Sequence, residues 1–286
     1  MTCEKPRVPN RVPCALLLSY DGGAFRGWQR QPGMPTIQEA IEDALQQALR
    51  RKVLLFGAAR TDAGVHAEGQ VCHFVKEAVG SSASVESLAA GLREALPPSI
   101  ELRAAALAHP SFHARSSAVG KRYRYRFSWG APILPRLPLA MDSVVSQSLA
   151  PQPSASLLRT FQLGLSAAPD WERARAALRG LAGLEALPGL SSPSTDRRPA
   201  PPLGSWSLTE EAQSCALEVA GPAFRKHQVR NIAGHLAAVA LGLAEPESLA
   251  ALAVRTRPGM GACAPPQGLT LVQVEYPAAL DPFAAR

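Results

Sequence analysis

The elements predicted along this chain run twice through one series: strand, helix, strand, strand, helix, strand. Alternating apolar residues indicate the strands, and apolar residues at helical spacing indicate the helices. In the first copy, strands are predicted at 14–20, 53–56, 70–75 and 100–107. Helices are predicted from Thr36, which forms a capping box with Glu39, and over 85–96, which precedes a proline pair. One such series folds as a four-stranded antiparallel sheet with two helices on one face, the ferredoxin-like unit.

The second copy begins at 121–127, where aromatic and basic residues alternate in the clearest strand pattern of the chain. A helix capped by Asp170 follows. A hairpin, a long helix and a last strand are then predicted at 205–208 with 215–219, 225–243 and 268–276. The duplicated order predicts an α+β fold of two ferredoxin-like βαββαβ halves. We expect their antiparallel sheets to lie side by side, with a central active-site cleft.

The same pattern predicts the domain boundaries. A basic leader at 1–12 precedes an N-terminal domain at 13–110 and a C-terminal domain at 111–280. Two atypical segments, 131–169 and 187–204, interrupt the second series with prolines and serines. Because insertions are tolerated in surface loops, we interpret both as loops of the C-terminal domain.

The charge of the chain favours a polyanionic partner. Of 286 residues, 30 are Lys or Arg and 23 are Asp or Glu, which gives a net charge of +7 and a pI of about 9.5. A balance of this sign is typical of proteins that bind nucleic acid.

The cysteines and histidines do not indicate a disulfide framework or a metal site. The five cysteines are scattered, odd in number and lack a Cys-x-x-Cys pair. His109 and His113 have a metal-like spacing, but Pro110 disfavours a helix there and no acidic or thiol ligand lies close by in sequence. No segment has the length and pattern of a signal peptide or a membrane span. We therefore expect a cytoplasmic protein with neither a membrane nor a metal partner.

One loop has the residue types of a reaction centre. Asp62 and Arg60 lie among small residues at 57–66, between two predicted strands. A rigid sheet would hold the Asp62 carboxylate at the tip of this loop, where it could act as a nucleophile or a base. Asp and Gly also dominate ordinary solvated turns, so the loop alone leaves that interpretation open.

Three further segments carry residue types that bind RNA. In 121–127 the aromatic side chains lie on one face, which suits base stacking, and the arginines on the other, which suits phosphates. A half-buried strand with a solvated basic face fits the same pattern. The segment 224–231 opens the long helix with basic groups, which fit a phosphate contact or a solvated cationic face. The glycine-rich loop at 20–29 adds an arginine and a tryptophan.

These motifs resemble those of the TruA family of tRNA pseudouridine synthases. They occur in the family's order and run from the first predicted strand to the last. The matching segments are Asp21-Gly…Gly27-Trp28-Gln29, Arg60-Thr-Asp62-Ala-Gly-Val-His66, Gly69-Gln70…His73-Phe74, Phe112-His-Ala-Arg115, Arg122-Tyr123-Arg-Tyr125, His227-Gln-Val-Arg230-Asn-Ile and Gly268-Leu269…Leu271. The resemblance implies a cofactor-free isomerase that converts uridine to pseudouridine in the anticodon stem-loop of tRNA, at tRNA positions 38–40.

The resemblance also implies roles for particular residues. Asp62 is the essential carboxylate, which attacks the anomeric carbon as a nucleophile or removes a ribose proton. Arg230 pairs with this carboxylate, and Arg60 supports the loop or contacts the flipped nucleotide. Tyr123 stacks on the target base, and Leu271 lines the pocket. We expect RNA contacts from Arg26, Trp28, Gln29, Arg115, Arg122, Arg124, Arg126, Arg225, Lys226 and His227.

The resemblance further implies tRNA as the partner and a homodimer as the assembly. The chain departs from the family pattern at four places, one of which is the atypical 131–169 segment. Ala59 stands where the family has glycine, which would strain the loop if that position required a positive φ. The segment 183–189 replaces a His-Asp-Phe stretch, and Arg198-Pro199 replaces Arg-Thr.

Two alternatives stay open at this point. One is a divergent paralogue that binds structured RNA or modifies a different RNA uridine. The other is an Asp-dependent hydrolase, which would require a metal ion or paired carboxylates. Glu68 is the acidic residue near Asp62 in sequence.

Overall fold

The computed structural model describes residues 11–77, 84–129, 161–162, 169–193, 201–255 and 263–284. Most of the predicted leader, most of the 131–169 segment and residues 194–200 lie outside these ranges. The strands are β1 (Arg11–Tyr20), β2 (Phe56–Gly57), β3 (His66–Glu77), β4 (Ile100–Leu107), β5 (Gly120–Ser128), β6 (Phe161–Gln162), β7 (Ser205–Glu211), β8 (Ser214–Gly221) and β9 (Leu269–Glu275). The helices are α1 (Ile37–Leu49), α2 (Val85–Ala95), α3 (Trp171–Arg179), α4 (Gln228–Ala240) and α5 (Glu247–Ala253).

The described strands form one mixed sheet. Its order is β4-β1-β3-β9-β5-β8-β7, with β2 beside β3 and β6 beside β5. β9 runs parallel to β3, where His66 and Ala67 pair with Thr270 and Leu271, and antiparallel to β5. The α+β class is confirmed. The expectation of two antiparallel sheets requires correction, because the short parallel pairing of β3 with β9 joins the strands into one sheet.

The helices of the first half begin where the sequence provides caps. The Thr36 side chain accepts a hydrogen bond from the N–H of Glu39 at the start of α1. The Ser84 side chain accepts one from the N–H of Ser87 at the start of α2. Caps of this kind satisfy N–H groups that have no partner within the helix. Ile41 and Leu45 form the buried side of α1. α1 packs on α2, and α2 packs on β4.

In the second half, a helix packs against the aromatic face of β5. Asp170 caps α3 by accepting hydrogen bonds from two N–H groups of its first turn. The ring of Trp171 in α3 lies 5.0 Å from that of Phe127, which in turn lies 4.8 Å from that of Tyr125. The arginines of β5 point to the opposite face, because side chains alternate along a strand.

Several predicted boundaries differ from the observed elements. The strand predicted at 53–56 is reduced to the two residues of β2, and Leu54 is 64% exposed. Leu55 is buried in the core, but Leu54 and Phe56 are exposed, so the apolar run is only partly buried. α4 begins at Gln228 instead of 225, because His227 adopts the left-handed conformation with a φ of 60°. α5 and β6 are too short to give a clear periodic pattern in the sequence.

Candidate active site

The loop that carries Asp62 is fixed by hydrogen bonds to neighbouring segments. The N–H of Trp28 donates to the carbonyl of Thr61 at 3.0 Å. The hydroxyls of Tyr20 and Thr61 share a hydrogen bond of 2.8 Å. After Asp62 the chain turns back, and the N–H of Val65 donates to the Asp62 carbonyl at 3.1 Å. These bonds present the carboxylate at the loop tip with 40% of its side chain exposed.

Ala59 fits its place in this loop. The Gln70 side chain of β3 forms hydrogen bonds with both backbone groups of Ala59. Its Nε2 donates to the Ala59 carbonyl at 2.8 Å, and its Oε1 accepts from the Ala59 N–H at 3.2 Å. Among the described residues, the non-glycine residues with a positive φ are Arg50 and His227. The alanine therefore does not strain the loop.

Arg230 reaches the Asp62 carboxylate from the second half of the chain. It lies in the first turn of α4, and its Nη1 is 3.5 Å from Asp62 Oδ2. Its Nε donates to the carbonyl of Ala264 at 2.7 Å, which fixes the orientation of the guanidinium. The Arg230 side chain is only 13% exposed, so its attraction to the carboxylate is less screened than at an open surface. The two side chains that the sequence predicts to pair are thus in contact.

A segment that sequence reasoning missed supports this contact. The N–H of Ala264 donates to the Arg230 carbonyl at 3.0 Å, so both the backbone and the side chain of Arg230 are held. Pro266 lies against Gly64, where an added Cβ would come within 3.2 Å of the proline Cγ. The signal for residues 263–268 is the proline pair directly before the last strand.

The floor of the site is apolar and aromatic. Leu271 of β9 is the cross-strand neighbour of both Ala67 on β3 and Tyr123 on β5, and it is fully buried. The ring of Tyr123 meets that of Phe224 edge to face at a centroid distance of 5.1 Å. Burial raises the pKa of the Tyr123 hydroxyl, and the charge of Asp62 adds to the shift. The hydroxyl therefore stays protonated at neutral pH.

His227 lies beside Asp62, although its sequence pattern suggested only an RNA contact. Its Nε2 is 3.5 Å from Asp62 Oδ2, and its Nδ1 shares a hydrogen bond of 3.0 Å with the hydroxyl of Ser192. Burial lowers the pKa of His227 by more than Asp62 raises it, and Arg230 and Lys226 lower it further. The imidazole is therefore neutral at physiological pH.

The other predicted site residues lie apart from this cluster. Arg60 is exposed, and the described side-chain contacts of the Asp62 carboxylate are with Arg230 and His227 instead. Exposed positions are also occupied by Arg26, Gln29, Arg115 and Lys226. Trp28, predicted to contact RNA, is only 2% exposed and packs over Gly57, where a Cβ would overlap its ring. Its role in this conformation is to support the core under the Asp62 loop.

The arginines of β5 are matched by carboxylates from neighbouring strands. Ion pairs of 2.7–3.9 Å join Arg124 to Glu68 and Glu218, Arg122 to Glu275, and Arg126 to Glu68. The basic stripe predicted from the sequence is therefore a network in which much of the positive charge is compensated. Glu68 belongs to this network and does not form a carboxylate pair with Asp62.

Neither a metal site nor a membrane-spanning helix is found among the described residues. No group of three or more His, Cys, Asp or Glu side chains among them is placed to hold a metal ion. None of the helices in the described ranges combines the length and the apolar character that crossing a bilayer requires.

The assembled site has a defined chemical capacity. It offers one carboxylate, one guanidinium that contacts it, and one neutral imidazole at its edge. The aromatic side chains Tyr123 and Phe224 and the aliphatic Leu271 give this part of the protein an apolar character. Such a site suits attack on a carbon atom, or removal of a proton, in a substrate with a planar group.

Comparison with known proteins connects this geometry to one enzyme family. Residues 203–277 match a family model described as tRNA pseudouridine synthase. The chain is 37% identical to the tRNA pseudouridine synthase A of Methylococcus capsulatus over 266 residues, which is 92% of this chain and 89% of that protein. It is 36% identical to the enzyme of the same name from Alcanivorax borkumensis, over 92% of this chain and 91% of that protein. For the Geotalea uraniireducens enzyme the identity is 35%, over 91% and 98%.

Proposed function

The chain belongs to the tRNA pseudouridine synthase family, and we propose that Asp62 performs its chemistry on a uridine of the anticodon stem-loop. The reaction is an isomerisation of uridine within tRNA. The bond from ribose C1′ to N1 of uracil breaks, and a bond from C1′ to C5 of the same base forms. C5 loses its hydrogen and N1 gains one, so the atoms balance without a redox partner. The observation that carries this assignment is the contact of Asp62 with Arg230 beside Tyr123 and Leu271.

An ionised Asp62 can begin the reaction in two ways. It can attack C1′ and form a covalent ester, or it can remove a ribose proton, and either step releases uracil as the leaving group. The free base then rotates and re-forms its link to the sugar through C5. The Arg230 guanidinium, 3.5 Å from Asp62 Oδ2, holds the carboxylate in place beside the target sugar.

Tyr123 and Leu271 form the surface on which the target base rests. A uridine in a stem is stacked and paired, so it must leave the helix before Asp62 can reach its sugar. Stacking on an aromatic ring is worth about 1–3 kcal/mol per base, which offsets part of that cost. The edge-to-face contact with Phe224 fixes the Tyr123 ring for this purpose.

The RNA backbone reaches this pocket along the N-terminus of α4 and the Asp62 loop. Arg225 and Lys226 lie just before His227 and α4, and Arg60 lies two residues before Asp62. The compensated arginines of β5 contribute less to this surface. We propose that Arg60 contacts the everted nucleotide, and that Arg26 and Arg115 contribute more distant phosphate contacts.

The same proposal extends to the organisation of the chain. We propose two ferredoxin-like domains, at 13–110 and 111–280, that act as a homodimer in the cytoplasm. Strand order supports the internal duplication, since β4-β1-β3-β2 in the first half corresponds to β9-β5-β8-β7 in the second. Sedimentation tests the assembly, because a homodimer has twice the 30.2 kDa mass of the chain.

Release of tritium tests the activity directly. tRNA transcripts that carry uridine labelled at C5 are incubated with the purified protein, and tritium in the water is measured. Isomerisation frees that hydrogen, and mapping of pseudouridine in the same RNA gives its position. Binding of tRNA without release of tritium would support an RNA-binding paralogue instead, and free uracil in the supernatant would support a hydrolase.

A further inference from the structure

The position of His227 suggests more than an RNA contact. It precedes α4 directly, and its left-handed backbone turns the side chain towards Asp62. Histidine is among the few residues besides glycine and Asn or Asp that adopt this conformation with some frequency. The backbone there is further fixed by a hydrogen bond from the Ser192 N–H to the Lys226 carbonyl at 2.9 Å. The imidazole is therefore placed by the fold and does not depend on bound RNA.

The two ring nitrogens of His227 face groups of different character. Nδ1 is 3.0 Å from the hydroxyl of Ser192, which can donate or accept a hydrogen bond. Nε2 is 3.5 Å from Asp62 Oδ2, and an ionised carboxylate can only accept. The tautomer that satisfies both contacts has its proton on Nε2 and accepts at Nδ1 from Ser192. The other tautomer would place a lone pair against the carboxylate.

We propose that His227 is a positioning residue for the isomerisation, which holds the Asp62 carboxylate through Nε2–H while Ser192 fixes the imidazole through Nδ1. This inference rests on the proposed role of Asp62. Arg230 and His227 both approach Oδ2, and no contact of Oδ1 is found among the described residues, so we expect Oδ1 to face the sugar. A separation of 3.5 Å is at the long limit for a hydrogen bond, and such contacts commonly shorten when substrate binds.

The charged groups around His227 explain why a neutral donor is useful there. Asp62, Arg230 and Lys226 all act on the imidazole. A second full cation beside Asp62 would stabilise its charge further and reduce its reactivity towards carbon. A neutral Nε2–H fixes the direction of the carboxylate and adds no further charge.

Two substitutions at position 227 separate this role from RNA binding. The amide of His227→Gln extends about as far as Nε2 and keeps a donor near Asp62. The shorter amide of His227→Asn tolerates the left-handed backbone and can reach Ser192, but not Asp62. Rates of tritium release are measured in single turnover at saturating tRNA, and tRNA affinity is measured by filter binding. Circular dichroism confirms that each variant is folded.

We expect His227→Asn to lower the saturated rate by about 10–100-fold, the range for loss of a hydrogen bond to a charged group. Its tRNA affinity should be unchanged, and His227→Gln should recover most of the rate. Ser192→Ala should lower the rate by about 3–10-fold, because the wrong tautomer is then no longer excluded. The adjacent Ser191→Ala, whose hydroxyl donates to the Pro188 carbonyl, is the matched control and should behave as wild type.

Three results would overturn the assignment. The first is an unchanged saturated rate with weaker tRNA binding in His227→Asn, which would make His227 an RNA contact. The second is a His227→Gln variant as slow as His227→Asn. The third is a Ser192→Ala variant indistinguishable from Ser191→Ala. A wild-type protein that releases no tritium would refute the proposed function itself, so the two failures are distinguishable.

Discussion

The two faces of β5 are made by alternate residues of one short segment, yet their side chains serve different purposes. On one face Tyr123 lies in the floor of the site beside Leu271. On the other face Arg124 forms ion pairs with Glu68 and Glu218. Both sets of residue types suit RNA binding when the sequence is considered alone. The difference teaches that a row of basic residues on a strand indicates RNA binding only when the charges on the neighbouring strands do not compensate it.

The largest contrast is expected between two carboxylates, Asp62 at the site and Glu68 on the arginine face. Asp62→Asn should lower the single-turnover rate by about 10⁴-fold or more, because it removes the proposed nucleophile or base. tRNA binding should persist in that variant. Glu68→Gln should stay within about threefold of wild type in rate, since the described contacts of the Glu68 carboxylate are ion pairs with arginines. Equal effects of the two substitutions on the rate would contradict the distinction between the proposed active site and the arginine face of β5.

A comparison of two arginines, Arg230 at the site and Arg124 on the arginine face, is expected to show a smaller difference in rate. Arg230→Gln should reduce the rate by about 10²-fold, because the Asp62 carboxylate loses its cationic partner. Arg124→Gln is the matched control, and its rate should change by less than about threefold. Rates at saturating tRNA are the appropriate measurement, since they exclude differences in binding. A variant at position 230 that reacts at the wild-type rate would contradict the proposed role.

The salt dependence of tRNA binding tests which cations meet the phosphates. Lys226 is exposed just before the N-terminus of α4. Lys226→Gln should therefore reduce the slope of the logarithm of the tRNA association constant against the logarithm of the salt concentration by about one unit. Arg124→Gln should change that slope by well under one unit, because its charge is compensated within the protein. A larger change at Arg124 than at Lys226 would place the RNA track across the arginine face.

The smallest expected effect concerns a buried histidine of β3. Burial lowers the pKa of His73 to about 4 from an ordinary 6.5, and His113 adds to the shift. The unfolded chain therefore takes up a proton between these values that the folded chain does not, so stability falls as pH decreases from 6.5 towards 4. His73→Gln should reduce the loss in free energy of unfolding between neutral and acid pH by about 1 kcal/mol. Urea titrations measure it, with the exposed His109→Gln as control.

Local features of the structure were accessible from the sequence, because they depend on neighbouring residues. The cap at Thr36 and the cap at Asp170 each begin a helix as predicted. The alternation at 121–127 gives both the strand and the division of its two faces. The contact of Asp62 with Arg230 followed only from the resemblance to a family, since 168 positions separate these residues.

What the sequence did not predict depends on pairing between distant segments. The parallel contact of β3 with β9 involves two residue pairs and has no local signal. The acidic partners of Arg124 come from strands that lie 56 positions before it and 94 after it. The family motif and the aromatic ring place Trp28 among the predicted RNA contacts. In the structure the absence of a side chain at Gly57 lets the Trp28 ring enter the core, and the sequence around Trp28 does not signal this.

The place of β9 in the sheet has a consequence for biosynthesis. The ribosome adds this strand after every other described strand, yet β9 inserts between β3 and β5 and supplies Leu271 to the site. A nascent chain that has not yet reached residue 269 leaves unpaired the edge of β5 and the part of the β3 edge that β9 covers, and it has no complete pocket. Premature termination a short distance upstream would therefore yield a product that is inactive and prone to aggregate through those edges.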